Sequence, residues 1–318
     1  MKIIRDIADI PSGLPFPVLT LGNFDGVHRG HQALLTRVCQ RAEEMAGTPM
    51  VLTFDPHPLK VLAPEKCPVL ITTTSQKMRL LQRYGIAITI CLPFTREFAN
   101  WEAERFVEEI LHRRIGVKEI YVGYDFAFGR GRQGTPALLE SLGATAGFAV
   151  KILAPVQNGG GVVSSTRIRH LVQRGAVQEA SRLLGRPYML EGEVIPGFRK
   201  GTELGFPTAN IRPANELIPA NGVYVTETFL QGHWYASITN IGVNPTFQRD
   251  QRRIEVHLFD FSRQIYGEQV ELAFLEKIRD ERRFPSVTAL VEQIASDVRY
   301  AQAFFRRHTT FPQPQENS

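Results

Sequence analysis

Residues 21–35 read LGNFDGVHRGHQALL and join an apolar run to a predicted helix. Three glycines leave the backbone of this segment accessible. His28 and His31 stand three residues apart, so a helical turn would place both imidazoles on one face, and Gly30 would let an anion approach the main chain closely. In an open α/β sheet, ligands collect at such strand-to-helix turns, against the helix N-terminus. The segment therefore predicts an anion-binding turn; a glycine-rich surface turn is the alternative.

Strand-like and helix-like stretches alternate on both sides of this segment, as far as about residue 185. Helical patterns separate the apolar, β-branched runs and end at or near glycine, a common C-terminal cap. Strict alternation implies crossover units and a parallel sheet covered on both faces, so we expect a Rossmann-like first domain. The predicted strands are 17–22, 50–54, 86–92, 119–123 and 148–153, and the predicted helices are 31–47, 75–85, 100–116 and 135–147.

The pattern changes after two short helices predicted within 169–188. Closely spaced strands without intervening helices then predict an antiparallel barrel, followed by one amphipathic helix over 286–308. The fold class is thus α/β plus all-β, with domains at 1–185 and 186–308 and a flexible tail at 309–318. The predicted barrel strands are 189–195, 222–230, 233–242, 253–261 and 269–278.

Composition narrows the classes of function. The chain has 318 residues, and 37 Lys and Arg against 32 Asp and Glu give a net charge of +5. The basic excess is dispersed, which favours anionic small molecules over nucleic acid. Cys39, Cys67 and Cys91 have no CxxC spacing, so neither a zinc site nor a disulfide framework is indicated, and a reducing compartment fits. The charged N-terminus and the lack of a long apolar run predict a cytoplasmic protein without a membrane segment.

Four segments carry a family resemblance: GNFDGVHRGH (22–31), FDPHP (54–58), VGYDFAFGRGRQG (122–134) and VSSTRIR (163–169). The first resembles the HxGH signature of nucleotidyltransferases related to class I aminoacyl-tRNA synthetases. Together, in this order, the four resemble the adenylyltransferase module of bacterial bifunctional riboflavin kinase/FMN adenylyltransferases. Nucleotidyl transfer depends on positioning and on charge stabilisation, which two imidazoles, backbone N–H groups and a magnesium ion can supply.

The resemblance implies a role for individual residues of the first domain. His28 and His31 are the expected catalytic residues, with ATP as co-substrate. The expected flavin contacts are His57, Phe126 and Phe128. The expected ATP contacts are Gly22, Asn23, Phe24, Asp25, Gly30, Asp125, Ser165, Thr166 and Arg167.

Other interpretations of these residues stay open. Aromatic side chains are more often core, so at least one of Phe126 and Phe128 is expected to pack inside the domain. His57 can equally belong to a structural turn, and Arg167 to an ordinary capped helix. Ala127 stands where the family usually has a basic residue, so a charged contact from that position is absent.

The second domain carries its own motif, GFRKGTELGFPTANI (197–211), which resembles the nucleotide-binding segment of riboflavin kinases. Gly197, Gly201 and Gly205 can expose backbone N–H groups to a nucleotide diphosphate. Thr208 and Asn210 alternate on an extended stretch and offer neutral oxygens suited to Mg²⁺. A glycine-rich hairpin is the alternative.

Two positions of this motif depart from the family pattern. Pro196 replaces a common histidine and Thr202 replaces an arginine. Arg199 or Lys200 is the expected substitute for the lost positive charge.

The segment RRIEVHLFDF (252–261) reads as a strand that holds Glu255 on one face. The resemblance implies that Glu255 is the base that accepts the proton of the riboflavin 5′-hydroxyl. A surface ion pair with Arg252 or Arg253 is the alternative. Segments 240–247 and 279–284 resemble walls of the flavin pocket.

The complete resemblance, from residue 1 to about 308, implies a two-step enzyme. The barrel would convert riboflavin and ATP to FMN, and the first domain would convert FMN and a second ATP to FAD and pyrophosphate. Riboflavin, FMN, ATP and FAD are then the expected partners, and nucleic acid and membrane are not. Two other classes remain: a different HxGH enzyme, such as a cytidylyl- or pantetheine-phosphate adenylyltransferase with an accessory barrel, and a flavin- or RNA-binding module without catalysis.

Overall fold

The computed structural model describes residues 1–197, 200–243 and 252–308, without the side chains of Lys200 and Thr202. The predicted tail at 309–318, Arg199 and part of the predicted wall segment at 240–247 lie outside the described residues. The chain divides into two compact units, Met1–Ser165 and Thr166–Ser318.

The first unit is built on six parallel strands. These are β1 (Lys2–Ile4), β2 (Pro17–Leu21), β3 (Thr48–Phe54), β4 (Ile88–Leu92), β5 (Glu119–Gly123) and β6 (Ala149–Leu153). Their order across the sheet is β1-β4-β3-β2-β5-β6, and every pairing is parallel. β2 and β4 are buried along their whole length, as expected of parallel strands covered on both faces.

Helices connect these strands and form two apolar layers. Val18 and Leu19, neighbours in β2, belong to different core clusters because successive strand residues point to opposite faces of the sheet. The helices are α1 (Arg29–Glu44), α2 (Pro58–Leu62), α3 (Thr74–Arg83), α4 (Arg96–Ala99), α5 (Ala103–Phe106), which continues as a π-helix over Val107–Ile115, and α6 (Pro136–Ala146). A short hairpin of β7 (Gln157–Asn158) and β8 (Gly161–Val162) follows β6.

The strand order reverses between β2 and β5. After β4 the chain crosses to the far side of β2, where β5 pairs with it. In doubly wound sheets, the crevice at the carboxyl ends of the two strands flanking such a reversal is the ligand-binding position. The turn that begins at Gly22 leaves β2 there, and the turn that begins at Tyr124 leaves β5 there.

At the amino ends of the strands, away from this crevice, an ion pair joins α1 to the start of β5. The guanidinium of Arg41 donates to both carboxylate oxygens of Glu119 at 2.7–3.0 Å, and the Tyr121 hydroxyl donates to Glu119 at 3.2 Å. Chiefly through the hydrogen bonds from Arg41, the pKa of Glu119 lies below its ordinary value. The side chain of Glu119 is 10% exposed, so this pair is better shielded from solvent than the pair of Arg41 with Glu44.

The second unit contains α7 (Ser165–Gln173), which begins at the last residue of the first unit, and α8 (Val177–Leu184). Six antiparallel strands then close a barrel in the order β10-β13-β12-β11-β14-β9. The strands are β9 (Tyr188–Ile195), β10 (Ala209–Pro213), β11 (Gly222–Leu230), β12 (His233–Val243), β13 (Arg252–Leu258) and β14 (Gln269–Arg279), and the helices are α9 (Lys200–Glu203) and α10 (Val287–Arg307).

The barrel interior includes a buried chain of hydroxyl groups. Thr226 lies 2.8 Å from Ser237 and 2.7 Å from Thr239, and Thr228 lies 2.8 Å from Ser237. All four side chains are at most 1% exposed, so each hydroxyl needs the others as partners. The opposite face of β11 and β12 packs against α10, where Val223, Ile238 and Ala301 share a core cluster with other apolar residues.

The predicted fold class is confirmed. The sequence did not predict β1 or β10 as strands, which raises the sheet and the barrel to six strands each. The predicted boundary after residue 185 assigns α7 and α8 to the first domain, whereas compactness assigns them, apart from Ser165, to the second unit. The domain boundary stays a prediction.

Glu119→Gln should lower the free energy of unfolding by about 1.5–3 kcal/mol at pH 7, because Arg41 then loses its charged acceptor. A carboxyl with a lowered pKa stabilises the fold above its unfolded-state pKa, and that contribution disappears as pH falls through the folded-state value. The difference from the parent chain should therefore shrink below about pH 4. Thermal unfolding measured from pH 7 down to about pH 2 tests it.

Glu44→Gln is the matched control, because Glu44 also bonds Arg41, at 2.9 Å, but is 60% exposed. Exposed pairs contribute little. An equal loss of free energy of unfolding in the two variants would show that the Arg41–Glu119 pair stabilises the fold no more than the exposed pair does.

Candidate active sites

The turn after β2 has an unusual backbone. Phe24, Gly26 and Val27 have φ values of +50°, +82° and +38°, in the left-handed region. For residues with a Cβ this conformation costs on the order of 1–3 kcal/mol. Phe24 and Val27 are 1% and 0% exposed, so core packing fixes the turn in this shape.

Asp25 anchors this turn from within. Its carboxylate accepts from the backbone N–H of Ile71 at 3.0 and 3.2 Å and of Thr72 at 3.2 Å, and from the Thr72 hydroxyl at 3.3 Å. Its carbonyl oxygen accepts from the Ser165 hydroxyl at 2.9 Å. Asp25 thus ties the turn to the segments before α3 and at the start of α7; its contact with ATP stays a prediction.

His28 and His31 lie together at the N-terminus of α1. His28 is the N-cap, and its Nδ1 accepts from the backbone N–H of His31 at 3.4 Å. The two imidazole rings stack, with centroids 3.7 Å apart and planes inclined by 13°. Because Nδ1 of His28 accepts a hydrogen bond, Nε2 is the ring nitrogen that carries the proton and can donate. The pair can therefore donate hydrogen bonds to an anion at the helix N-terminus, where the helix dipole also favours negative charge.

Gly30 is packed beneath the first of these rings. A Cβ at this position would lie 3.1 Å from Cε1 and 3.2 Å from Nδ1 of His28. The glycine therefore allows the stacked arrangement of His28 on His31.

Asn23 and His57 meet across the ends of β2 and β3. The Asn23 side-chain amide lies 3.2 Å from Nε2 of His57, and Nδ1 of His57 accepts from the backbone N–H of Leu59 at 3.2 Å. His57 is the N-cap of α2. The structure thus brings the GNFDG and FDPHP segments together; Gly22, at the end of β2, donates its N–H to the Leu52 carbonyl at 3.2 Å.

The turn after β5 carries the remaining predicted contacts of the first unit. Asp125 is exposed, and the Phe126 N–H donates to the Gly123 carbonyl at 3.1 Å. The rings of Phe126 and Phe128 stack with centroids 5.6 Å apart. Phe128 is 9% exposed and belongs to the core, whereas Phe126 is only partly buried against it.

Thr166 and Arg167 lie in the first turn of α7, at the start of the second unit.

An aromatic wall at the carboxyl edge of the sheet was not predicted from the sequence. Neighbouring ring centroids lie 5.3–6.1 Å apart from the end of β3 to the turn after β5. The wall packs on the face of the sheet opposite the one that α1 covers. Its members are Phe54, Phe94, Phe98, Trp101, Phe106 and Phe128.

The second unit has a cavity of about 430 Å³ beside α10. Glu255 lines it, together with Arg253 and His257, because alternate residues of β13 face outward while Ile254 and Val256 are buried. The strand pattern predicted for this segment is confirmed.

Strand register places three polar side chains in one row across the barrel. Asn210 of β10 and Asn240 of β12 are both directly opposite Glu255. Directly opposed residues have Cβ atoms about 4.5–5.5 Å apart, so their side chains share one face. Asn240, the first residue of the predicted wall segment 240–247, also lines the cavity; its position opposite Glu255 was not predicted.

Glycines bring the 197–211 motif close to this row. A Cβ on Gly197 would collide with the Asn210 amide, and a Cβ on Gly201 would lie 3.0 Å from Oγ1 of Thr208. Gly205 has a φ of +84°, which favours glycine. The motif thus packs backbone against the side chains of Thr208 and Asn210, and both Gly201 and Thr208 line the cavity.

A buried ion pair supports the other side of the cavity. Arg279, near the end of β14, donates to Asp297 of α10 at 2.8 and 2.9 Å, and Asp297 is 3% exposed. Glu281, Arg282 and Phe284 also line the cavity, so segment 279–284 contributes to its wall.

Within the described residues, no group of three or more His, Cys, Asp or Glu side chains could hold a metal ion. Thr208 and Asn210 are not among these four residue types, and their neutral oxygens suit a magnesium ion held mainly by phosphates and water. The described residues also contain no helix long and apolar enough to cross a membrane.

Comparison with known proteins covers both units. The family model for FAD synthetase matches residues 14–167, and the model for riboflavin kinase matches residues 184–305. The bifunctional riboflavin kinase/FMN adenylyltransferase of Escherichia coli strain K12 is 37% identical over 96% of this chain and 98% of that protein. The protein of the same description from Haemophilus influenzae is 38% identical over 96% of this chain and 99% of its own length.

A solved structure shows the same fold along nearly the whole chain. It is described as the crystal structure of a macrolide-efflux protein from Streptococcus pneumoniae, with 34% sequence identity and a TM-score of 0.87. The alignment covers 94% of this chain and 98% of that one.

Proposed function

This chain belongs to the family of bifunctional riboflavin kinase/FMN adenylyltransferases, and we propose that it makes FAD in two ATP-dependent steps at the two sites described above. The resemblance predicted from the sequence is confirmed, and the two family segments occur in the expected order. Near-complete coverage of relatives with both activities carries the proposal.

In the first unit, we assign adenylyl transfer to the turn between β2 and α1. The His28–His31 pair and the N-terminus of α1 would stabilise the negative charge that develops on the ATP phosphates as pyrophosphate leaves. The FMN phosphate attacks the α-phosphorus of ATP, so a new phosphoanhydride forms as the bond to pyrophosphate breaks. Phe126 and the aromatic wall would hold the flavin ring near this reaction, with His57 beside its phosphate and Asn23, which contacts His57, toward ATP.

In the second unit, we assign riboflavin phosphorylation to the barrel cavity. Glu255 would accept the proton of the riboflavin 5′-hydroxyl as that oxygen attacks the γ-phosphorus of ATP, which releases ADP. Asn210 and Asn240 stand opposite Glu255 on the two neighbouring strands, from where their amides would orient its carboxylate. A magnesium ion bound by ATP would neutralise phosphate charge, with Thr208 and Asn210 as its protein contacts.

We also place the enzyme in the cytoplasm. All three cysteines are described, and none forms a disulfide, in keeping with a reducing compartment.

The two sites should be separable by substitution. Glu255→Gln keeps the size of the side chain but removes the base, so riboflavin phosphorylation should fall by about 10²–10⁴-fold while supplied FMN is still adenylylated. His31→Ala should do the reverse: FMN should accumulate from riboflavin, and FAD formation should fall by about 10²-fold or more. Chromatography of FMN and FAD, with riboflavin or FMN as the substrate, measures both reactions.

Each variant is the other's control, because loss of folding would depress both reactions together. If Glu255→Gln, still folded, also abolishes adenylylation of supplied FMN, the assignment of the two reactions to separate sites is wrong. Unaltered FAD formation in His31→Ala would remove the role of the histidine pair.

Magnesium dependence tests the 197–211 motif. Thr208→Ala and Asn210→Ala should each raise the Mg²⁺ concentration needed for half-maximal FMN formation, because the ion loses an oxygen ligand or a group that orients one. A magnesium titration of both activities measures the shift, with adenylylation of FMN as the internal control. Parental magnesium dependence in both variants would contradict the assignment.

A further inference from the structure

Lys77 is a buried lysine that belongs to none of the motifs. It lies in α3 and is 8% exposed. Its ammonium donates to three oxygens: the Asn23 carbonyl, the Thr53 hydroxyl and the Phe54 carbonyl, each at 3.3 Å. An ammonium has three protons, so these three acceptors account for its full donor capacity.

The partners of Lys77 are all neutral. Among the described residues, no carboxylate lies within hydrogen-bonding distance of its ammonium. Burial lowers the pKa of Lys77, and the more distant charges of Cys91, Asp55 and Asp25 oppose that effect only in part. A buried charge without an ionic partner is costly, and an apolar side chain of the same length would avoid the cost. The position of Lys77 therefore calls for a role beyond packing.

The three acceptors belong to two segments of the nucleotide site. Asn23 is the second residue after β2, whereas Thr53 and Phe54 end β3. The Thr53 hydroxyl also donates to the Asn23 carbonyl, at 3.4 Å. Lys77 thus crosslinks the carboxyl ends of two adjacent strands.

This crosslink sets the position of Asn23, whose side chain is exposed and lies 3.2 Å from His57. The Asn23 carbonyl is held by the Lys77 ammonium and the Thr53 hydroxyl, so the backbone from which its side chain projects is fixed. His57 follows Phe54 by three residues and depends on the same anchor. Without the ammonium, the Phe54 carbonyl would lose this donor and the Asn23 carbonyl would keep the bond from the Thr53 hydroxyl, so both segments would be held less firmly.

We propose that Lys77 is a positioning residue for adenylyl transfer, which fixes Asn23 and, through the end of β3, His57 in the geometry that the reaction needs. This inference rests on the proposed adenylyltransferase function of the first unit. Small displacements of substrate-positioning groups cost catalysis steeply, by about 10²-fold for 1 Å.

Lys77→Met tests the proposal in the full-length chain, because methionine keeps most of the length but has no donor and no charge. With FMN as the substrate, kcat for FAD formation should fall by about 10- to 100-fold, while KM for ATP changes by less than about threefold. Riboflavin phosphorylation, measured on the same molecules, should stay within about twofold of the parent chain because its site lies in the other unit.

Arg41→Met is the matched control for loss of stability. It also removes a cation and its hydrogen bonds from the first unit, but at the amino edge of the sheet, beside Glu119. Its thermal midpoint should fall, whereas its kcat for FAD formation per folded molecule should equal that of the parent chain.

A parental kcat in folded Lys77→Met, or a loss no greater than that in Arg41→Met at equal folded fraction, would overturn the proposal. If Lys77→Met does not fold, Lys77→Gln replaces it, since an amide can still donate to two of the three acceptors. The kcat of that variant should fall measurably, but by less than about tenfold. A parental kcat would overturn the proposal. Absence of FAD formation by the parent chain itself would instead contradict the proposed function.

Discussion

The carboxylate of Asp25 joins the turn after β2 to the backbone N–H groups of Ile71 and Thr72, immediately before α3. The turn needs such an anchor because Phe24 and Val27 adopt left-handed backbone conformations that cost free energy. The helix N-terminus and the histidine pair of the first site follow within a few residues. α1 begins directly after the turn, and its N-cap, His28, stacks on His31. A shift of the turn would therefore move the helix N-terminus and both imidazoles together.

In the second unit, the corresponding constraint is strand register. Glu255 faces the cavity and lies between Asn210 and Asn240 only because β13 pairs with β10 and β12 in one alignment. A slip of one residue would turn Glu255 inward and Val256 outward. On the other side of β12, the buried hydroxyl chain from Thr226 to Thr239 fixes the register of β11 in the same way, since a slip there would cost each hydroxyl its partner.

Local signals predicted most of the fold. Strands such as 119–123 and 222–230 have the bounds observed, because their apolar runs are long and are delimited by glycine or charged residues. β1 was missed because only three residues pair at the edge of the sheet, between charged neighbours. β10 was missed because its residues were interpreted as part of the nucleotide motif rather than as a strand.

Within the sites, sequence could nominate residues but not their partners. The HxGH spacing predicted that His28 and His31 share a face, but it could not show that Asp25 turns inward to bind backbone amides. Lys77 had a usable signal: it lies four residues before buried Leu81, on the apolar side of α3, where a charged residue is out of place. The ion pair of Arg279 with Asp297 had none, because it joins two elements whose approach only the folded barrel determines.

Whether one chain performs both steps can be determined by following the phosphorus atoms of ATP into FMN and FAD. Riboflavin, Mg²⁺ and the full-length chain would be incubated with ATP labelled at the γ-phosphorus in one reaction and at the α-phosphorus in another, and FMN and FAD would be separated by chromatography. If one chain performs both steps, FMN should carry γ-label alone, FAD should carry one phosphorus from each position, and pyrophosphate should be released. FMN that accumulates without any FAD, or FAD without α-label, would contradict it.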